Sequence, residues 1–192
     1  MAHKHRNELG PGDDGFWPLT NAQRLAHADA LRREHAGHRC VEEASSLCQA
    51  GDFYAMAGDH DRAEQAYREA IDIEAAEPGA PQAAYAAFLL DHGRTDEALA
   101  VIDAARRLRP QAAEVFTTIG EALAEHDRPQ QAARWFTAGL VARLGQLTDL
   151  QGDDLRLDAE VAFLAGGRYR ARQDLGLPSD HIDALVQEFQ QT

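Results

Sequence analysis

A pattern of small and large residues returns every 34 or 35 positions in the middle of this chain, anchored on Ala63, Ala98 and Ala132. Four positions after each anchor the residue is large, seven after it is small, and five before it is glycine or aspartate: Tyr67, Ile102, Phe136; Ala70, Ala105, Gly139; Gly58, Gly93, Asp127. A period near 34 is typical of stacked helix–turn–helix units, in which small residues lie where two helices touch. The chain is therefore predicted to be all-α.

On these residues, the stretch from about Ala44 to Leu144 resembles three tetratricopeptide repeats. The resemblance implies a right-handed superhelical array of antiparallel helix pairs, an α-solenoid in which each unit contacts only its neighbours. It also implies that the protein binds a partner protein and is not an enzyme. The predicted pairs are about 41–56 with 60–73, 82–91 with 96–108, and 112–125 with 129–143.

The segments that flank the repeats are expected to differ from them. Residues 1–19 are polar and rich in glycine, which predicts a flexible tail, with Phe16 and Trp17 docking on the body of the protein. A capping helix is expected within 20–42, with Thr20 or Asn21 as its N-cap. The repeats then occupy 43–145, where Asp59 and Thr95 are predicted helix caps.

Residues 146–192 are expected to hold a degenerate fourth unit with its internal turn at Gly166, followed by one last helix. The first helix of the unit is predicted to carry an apolar face formed by five residues: Leu147, Leu150, Leu157, Val161 and Leu164. Ser179 is the predicted cap of the last helix, which places four apolar side chains on one face, namely Ile182, Leu185, Val186 and Phe189. Such a face can cover the exposed end of the array. The alternative is that the last helix fills the binding groove, and the sequence leaves both open.

The charge and composition of the chain limit which cellular compartment and which classes of partner are expected. A net charge of −13 opposes nucleic-acid binding, which requires a basic footprint. No stretch has the 18 apolar residues of a membrane span, and no apolar core of a signal peptide is present near Met1. Two cysteines cannot form a disulfide framework, so a cytoplasmic protein is expected. Abundant alanine and a single lysine, Lys4, favour a bacterial source with a GC-rich genome.

The resemblance also implies a concave groove lined by the first helix of each unit. Carried over position by position, the expected partner-binding residues are Ser45, Cys48, Asp52, Met56, Ala83, Ala87, Leu90, Asp91, Glu114, Thr117, Glu121 and Glu125. Five of these are acidic and none is basic, so the lysines and asparagines with which family members hold an acidic peptide are missing. The expected partner is a peptide or helix with basic and apolar residues. The alternative is that the groove is merely solvated.

Histidines and cysteines raise the question of a metal site. His35, His38, Cys40 and Cys48 are the residue types that bind zinc, but their spacing is not one of the standard patterns. A free cysteine more often serves as a small buried apolar residue. We therefore expect no metal and no cofactor. Three further histidines lie near predicted turns and are expected to lie about the width of a helix pair apart, too far to form a triad: His60, His92 and His126.

The sequence has no GxSxG, GxxxxGK[ST] or HExxH pattern, and its one match to GxGxxG, at Gly10, Gly12 and Gly15, lies in the polar tail rather than between a strand and a helix. Arg168, Arg170 and Arg172 form a basic run that could contact phosphate or RNA, although the overall charge opposes this. Three neighbouring carboxylates are expected on a solvated face: Asp153, Asp154 and Asp158. Two alternatives to a partner-binding scaffold stay open, a self-associating structural adaptor and a regulatory subunit of a separately encoded enzyme or transcription factor.

Overall fold

The computed structural model describes residues 19–191, which fold into ten α-helices without a β-strand. The helices are α1 (Asn21–Glu34), α2 (Val41–Met56), α3 (His60–Ile71), α4 (Ala80–Asp91), α5 (Thr95–Arg107), α6 (Ala113–Glu125), α7 (Pro129–Leu144), α8 (Gly152–Leu157), α9 (Ala159–Asp174) and α10 (His181–Gln190). The all-α prediction is confirmed for this part of the chain. The predicted tail, with Phe16 and Trp17, lies outside the described residues except for Leu19.

The turns inside the three helix pairs share one backbone conformation. Gly58, Gly93 and Asp127 follow α2, α4 and α6 with φ of 82°, 69° and 58°. Glycine takes this left-handed conformation without strain, and aspartate tolerates it because its short polar side chain can hydrogen-bond locally. The sequence pattern placed the turns at these three positions, and the structure confirms them.

Two of the predicted helix caps are present and two are wrong. Ser179 does not cap α10, because the carboxylate of Asp180 caps that helix. Thr20 forms a capping box at the start of α1, and the carboxylate of Asp59 accepts a hydrogen bond from the first turn of α3. Thr95, however, is already the first helical residue of α5, and Arg94 occupies the N-cap position without a side-chain cap. The guanidinium of Arg94 instead binds Glu97 in the first turn, which fixes this helix start by an ion pair.

Helices that follow one another in the chain pack in pairs. Helix α2 lies against α3, α4 against α5 and α6 against α7, and the first helix of each pair also contacts the first helix of the next. The three anchors, Ala63, Ala98 and Ala132, are completely buried between the helices of their pairs. Small residues are needed at these crossings because a larger side chain would separate the two backbones.

The small residue that precedes each anchor by twelve positions explains the large residue that follows the anchor. A Cβ atom on Gly51 would lie 2.7 Å from the ring of Tyr67, and one on Gly120 would lie 2.6 Å from the ring of Phe136. Each aromatic ring therefore packs directly on the backbone of the facing helix. The middle pair has Ala86 at this position and the smaller Ile102 opposite it, and both are buried.

The predicted turn at Gly166 is wrong. Helix α9 runs without interruption from Ala159 to Asp174, and it packs on both α6 and α7. The neighbouring Gly167 lies against the ring of Phe136, where a Cβ would be only 2.5 Å away. This glycine is a point of close helix packing, not a turn.

The expected apolar helix before α9 is also wrong. Leu147 belongs to a 3-10 turn, Leu150 is fully buried in the connection that follows, and Leu157 ends the short helix α8 with 86% of its surface exposed. The three leucines therefore do not share one helix face. Helix α10 packs on α8 and α9 through Ile182 and Val186, so it covers that end of the molecule.

Candidate partner-binding groove

Helices α2, α4 and α6 together enclose a cavity of about 540 Å³, which we call the groove cavity. Its floor consists mainly of alanines of α2 and α4, and its edge includes exposed Met56 at the end of α2. Of the residues predicted to contact a partner, eight line it: Ser45, Cys48, Asp52, Met56, Ala83, Ala87, Asp91 and Glu114. Residues from three separate sequence repeats therefore share one concave site.

Four predicted contact residues do not line the groove cavity. Leu90 is 2% exposed and packs in the hydrophobic core, so the prediction that it contacts a partner is wrong. Thr117, Glu121 and Glu125 lie on α6 outside the cavity, although both glutamates are exposed. Helix α6 instead contributes Glu114, Val115 and Thr118 to the lining.

The sequence did not reveal the polar contact between α2 and α3 beneath the groove cavity. The hydroxyl of Tyr67 donates a hydrogen bond of 2.6 Å to a carboxylate oxygen of Asp52. The apolar walls raise the pKa of Asp52, an effect that the Tyr67 hydrogen bond offsets only in part, although solvent reaches the carboxylate from the cavity. Burial likewise raises the pKa of Tyr67, and the nearby Asp52 charge raises it further.

The thiol of Cys48 lies in the same wall and is unreactive at neutral pH. Burial raises its pKa to about 12, and the negative charges of Asp52 and Glu114 add to this effect. A thiol must lose its proton to act as a nucleophile or as a metal ligand. Cys48 is therefore a small apolar wall residue of the groove cavity at neutral pH.

The groove cavity is negatively charged. Glu77, Asp91 and Glu114 join Asp52 among its lining residues, and none of the described side chains that line it is an arginine or a lysine. The only ionisable nitrogen in the lining is the imidazole of His92. An acidic site between apolar walls concentrates the electric field and attracts cationic groups.

Glu64, on α3, is not the simple surface residue that its helix position suggests. Its carboxylate accepts hydrogen bonds from Arg94 at 2.6 Å, from Arg68 at 2.5 Å and from the hydroxyl of Tyr85 at 2.7 Å. These contacts join α3 to α4 and to the start of α5. The hydrogen bonds from Arg94, followed by that from Tyr85, lower the pKa of Glu64 to about 2 against the opposing effect of burial.

Glu64→Gln is expected to reduce the free energy of unfolding at pH 7 by roughly 1–3 kcal/mol. A carboxylate whose pKa is lowered by folding stabilises the native state above its unfolded pKa of about 4.3, and it loses this effect as the pH falls towards 2. The difference from the wild-type protein should therefore shrink between pH 4 and about 2. Urea unfolding at pH 7 and pH 3 measures it, with the exposed Glu74→Gln as control; a difference independent of pH would contradict the assignment.

The candidate metal ligands of the sequence do not come together at one point. The rings of His35 and His38 are 6.3 Å apart, and Cys40 is the N-cap residue of α2. Cys48 lies eight residues further along that helix, about 12 Å along its axis. Within residues 19–191, no group of three or more histidine, cysteine or acidic side chains has a geometry that could hold a metal ion.

The prediction that three histidines near the turns lie far apart is wrong for one pair. Nε2 of His92 lies 2.9 Å from Nδ1 of His60, and Nδ1 of His92 lies 2.7 Å from the carbonyl oxygen of Phe88. The pair forms because His60 begins α3, whereas His92 ends α4, so the two residues do not occupy equivalent repeat positions. His126 is equivalent to His92, and its Nε2 lies 3.0 Å from a carboxylate oxygen of Asp91.

Two of the three arginines in the basic run of α9 form ion pairs inside the protein. Arg168 and Arg172, one helical turn apart, both bind Asp183 of α10, at 3.0 Å and 2.9 Å, and both also contact Asp180. The side chain of Arg168 is only 8% exposed. These two arginines therefore attach α10 to α9, and only Arg170 of the run is exposed.

Two of the three carboxylates that were expected on a solvated face have structural roles. Asp158 accepts hydrogen bonds from the backbone of the first turn of α9 and binds Arg143 at 2.8 Å. Asp154 accepts a hydrogen bond from the backbone of Gln151 and completes a capping box at the start of α8. Asp153 is exposed and pairs with Arg156 on the same helix.

Comparison with protein-family models, with curated proteins and with solved structures gave no match to this chain. Within the described residues, every helix is too short or too polar to cross a lipid bilayer. The proposals below therefore depend on the cavities of the structure and on their chemistry.

Proposed function

We propose that this protein is a non-catalytic scaffold built from tetratricopeptide-like repeats, and that it binds a segment of a partner protein in the groove cavity. The observation that carries the proposal is a cavity of about 540 Å³ formed by equivalent helices of three successive units. Cavities of 300–1,000 Å³ are the usual size of ligand sites in proteins. In a right-handed solenoid, such a cavity is part of a continuous concave surface.

The chemistry of the groove cavity supports a partner segment that is both basic and apolar. Its alanine floor leaves room for large aliphatic or aromatic side chains, and exposed Met56 extends the apolar surface to the edge. Asp52, Asp91 and Glu114 lie within reach of an arginine or lysine on the same segment. Because stacked helix pairs hold this surface rigid, binding requires little ordering of the scaffold itself.

Selection of peptides from a random displayed library tests the proposal without knowledge of the natural partner. Bound peptides are expected to carry arginine or lysine beside aromatic or aliphatic residues. Asp91→Lys combined with Glu114→Lys should weaken the best peptide by about tenfold or more, because attraction of close charges becomes repulsion. The association rate with the wild-type protein should fall as salt rises, since charge attraction is screened within about 8 Å at physiological ionic strength.

The matched control is Glu74→Lys combined with Asp174→Lys, which changes the net charge equally at exposed positions outside the groove cavity. Glu64 is unsuitable as a control because it joins three helices through its ion pairs. Reversal of Glu121 and Glu125 is expected to have an intermediate effect, since both are exposed on α6 but outside the cavity. Selection of acidic peptides, or equal weakening by the control variant, would contradict the proposal.

Self-association is a second candidate, supported by exposed apolar side chains at the other end of the chain. Leu157 of α8 is 86% exposed and Phe163 of α9 is 65% exposed. Exposed apolar side chains of this size are found at protein–protein contacts. If they mediate assembly, sedimentation should show an oligomer that Phe163→Ser converts to a monomer, while the exposed Phe189→Ser leaves it intact. A wild-type monomer at about 100 μM would exclude this candidate.

A further inference from the structure

We propose that the protein binds a small organic monocarboxylate with an apolar body in a second cavity, between α7, α9 and the connection from α9 to α10. This cavity has a volume of about 390 Å³ and is lined by Arg134, Arg168 and Arg172, so we call it the arginine cavity. It shares no lining residue with the groove cavity. The inference therefore goes beyond the proposed function and does not depend on it.

Antiparallel packing of α7 and α9 brings these arginines together. Arg143, near the end of α7, binds Asp158, the N-cap of α9, at 2.8 Å. Further along α9, Nε of Arg168 donates a hydrogen bond of 3.2 Å to the hydroxyl of Thr137. The start of α7 therefore faces the end of α9, and side chains that are far apart in the sequence line one cavity.

The end of α9 provides the apolar side of the arginine cavity. Gly176 takes the left-handed conformation with a φ of 62°, and the N–H of Leu177 donates a hydrogen bond of 3.1 Å to the carbonyl oxygen of Arg172. The N–H of Gly176 itself donates to the carbonyl oxygen of Gln173, which completes a Schellman motif. This motif turns the chain back, so that the exposed side chains of Leu175 and Leu177 line the same cavity as Arg172.

Several N–H groups of the arginine cavity have no acceptor within the described part of the chain. Arg134 is exposed and forms no hydrogen bond or ion pair with another described residue, so all nitrogens of its guanidinium can donate to a ligand. Arg172 uses Nε for Asp183 and Nη2 for the carbonyl oxygen of Pro178, so its Nη1 lacks an acceptor among the same residues. Guanidinium groups bind a carboxylate through two parallel hydrogen bonds, and these donors therefore fit an oxyanion.

The charge balance of the arginine cavity fits a ligand with one negative charge. The two arginines of α9 pair with two carboxylates at the start of α10, and these four charges cancel. Arg134 adds one positive charge that is not cancelled, and none of the described residues that line the cavity is acidic. A carboxylate carries a single negative charge, whereas a phosphate monoester carries about −1.5 to −2 at pH 7. The balance therefore favours a monocarboxylate.

Negative charges elsewhere on the chain lie outside this site. Asp127 and Asp174 are exposed acids close to the lining in sequence, but neither lines the cavity or forms an ion pair with its arginines. The net charge of −13 repels anions at long range. That repulsion is screened within about 8 Å at physiological ionic strength, whereas hydrogen bonds to Arg134 act at contact. The groove cavity, which is acidic, would repel the same ligand and does not compete for it.

Titration of phenylacetate into the isotope-labelled full chain, followed by nuclear magnetic resonance, tests this directly. Phenylacetate joins one carboxylate to an apolar ring, and a ligand of this size is expected to bind with a Kd of about 0.1–1 mM. The backbone amide signals of Arg134 and Leu177 should shift with the same saturation curve. Phenylacetamide and inorganic phosphate should each bind at least about tenfold more weakly, because the first lacks the charge and the second lacks the apolar body.

Substitutions at exposed positions locate the binding site without disturbing the fold. Arg134→Gln should weaken phenylacetate by about tenfold or more, because it removes the uncancelled charge and the fork that binds a carboxylate. The matched control is Arg170→Gln, which removes the same charge from an exposed position of α9 outside the lining and should change the Kd by less than about twofold. Leu177→Ser should weaken phenylacetate by about threefold but leave acetate, which has no ring, unchanged.

The results that would overturn this inference differ from those that would contradict the proposed function. Phenylacetate that causes no saturable shift up to about 20 mM would overturn the inference, because the expected Kd lies far below that concentration. Equal weakening by Arg134→Gln and Arg170→Gln would overturn it as well, as would phenylacetamide or phosphate that binds as tightly as phenylacetate. A peptide selected for the groove cavity should bind Arg134→Gln and the wild-type protein equally well, so each proposal can fail without the other.

Discussion

Asp183→Ala is expected to reduce the free energy of unfolding by about 3–5 kcal/mol, the largest effect of any single substitution considered for this chain. Asp183 is completely buried, and its two oxygens accept hydrogen bonds from Arg168 at 3.0 Å and from Arg172 at 2.9 Å. Together with Asp180, these residues form a cluster of two positive and two negative charges. Removal of one carboxylate leaves a positive charge without its partner at a site where Arg168 is nearly excluded from solvent.

The same substitution should release α10 before the rest of the protein unfolds. Asp183 also accepts a hydrogen bond from the backbone of Asp180, so its loss opens the capping box at the start of α10. Thermal melts followed by circular dichroism measure the global loss of stability. Hydrogen exchange of α10 measures its local release, which should exceed the change in α2 and α3.

A double variant distinguishes charge burial from packing. In Arg168→Met with Asp183→Leu, the buried pair is replaced by apolar side chains, which in other proteins is often neutral or stabilising. The double variant should therefore be more stable than Asp183→Ala, and the two substitutions should be strongly non-additive. A double variant that is as unstable as the sum of the single variants would show that the contacts are not coupled.

The stabilisation that this cluster provides also depends on pH. Burial by itself would raise the pKa of Asp180, but the hydrogen bonds from Arg168 and from the backbone of Asp183, with the charge of Arg172, lower it to about 2. Folding lowers this pKa, so its contribution is complete above the unfolded value of about 3.9 and is lost as the pH falls towards 2. Acid should therefore weaken the attachment of α10, in the same window as the Glu64 contacts.

Gly167→Ala and Gly166→Ala are expected to have opposite effects on stability, although the two glycines are neighbours in α9. A Cβ at position 167 would lie 2.5 Å from the ring of Phe136, whereas one at position 166 would meet only the end of the Arg170 side chain, at 3.6 Å. Overpacking should cost about 1–3 kcal/mol at position 167. Alanine should add up to about 1 kcal/mol at position 166, since glycine disfavours helix.

Chemical unfolding of the two variants at equal protein concentration measures this difference of roughly 1–4 kcal/mol. The pair is its own control, because both substitutions change the same helix by the same methyl group. Gly120→Ala should behave like Gly167→Ala, since its Cβ would lie 2.6 Å from the same ring atom of Phe136. Equal effects at positions 166 and 167 would contradict the close packing of α9 on α7.

Much of the helical part of this fold could be predicted from the sequence. The bounds of α2, the turns at Gly58, Gly93 and Asp127, and the burial of the repeat anchors all follow from the residues themselves. These features depend on local rules: the periodicity of apolar residues, the backbone preference of glycine and the spacing of small residues. Two-thirds of the predicted groove residues lie around one cavity for the same reason, since equivalent positions of stacked units share a face.

Only the tertiary structure decided which residues are enclosed and which are paired. The sequence could not place Leu90 inside the core, join His60 to His92, keep α9 continuous through Gly166, or direct two arginines of α9 onto Asp183. Each of these depends on the rotation of one helix against another, or on the approach of groups that are distant in the chain. A repeat pattern encodes the contacts that recur in every unit, but contacts that occur once are set by the final packing of whole helices, because only that packing brings their partners within reach.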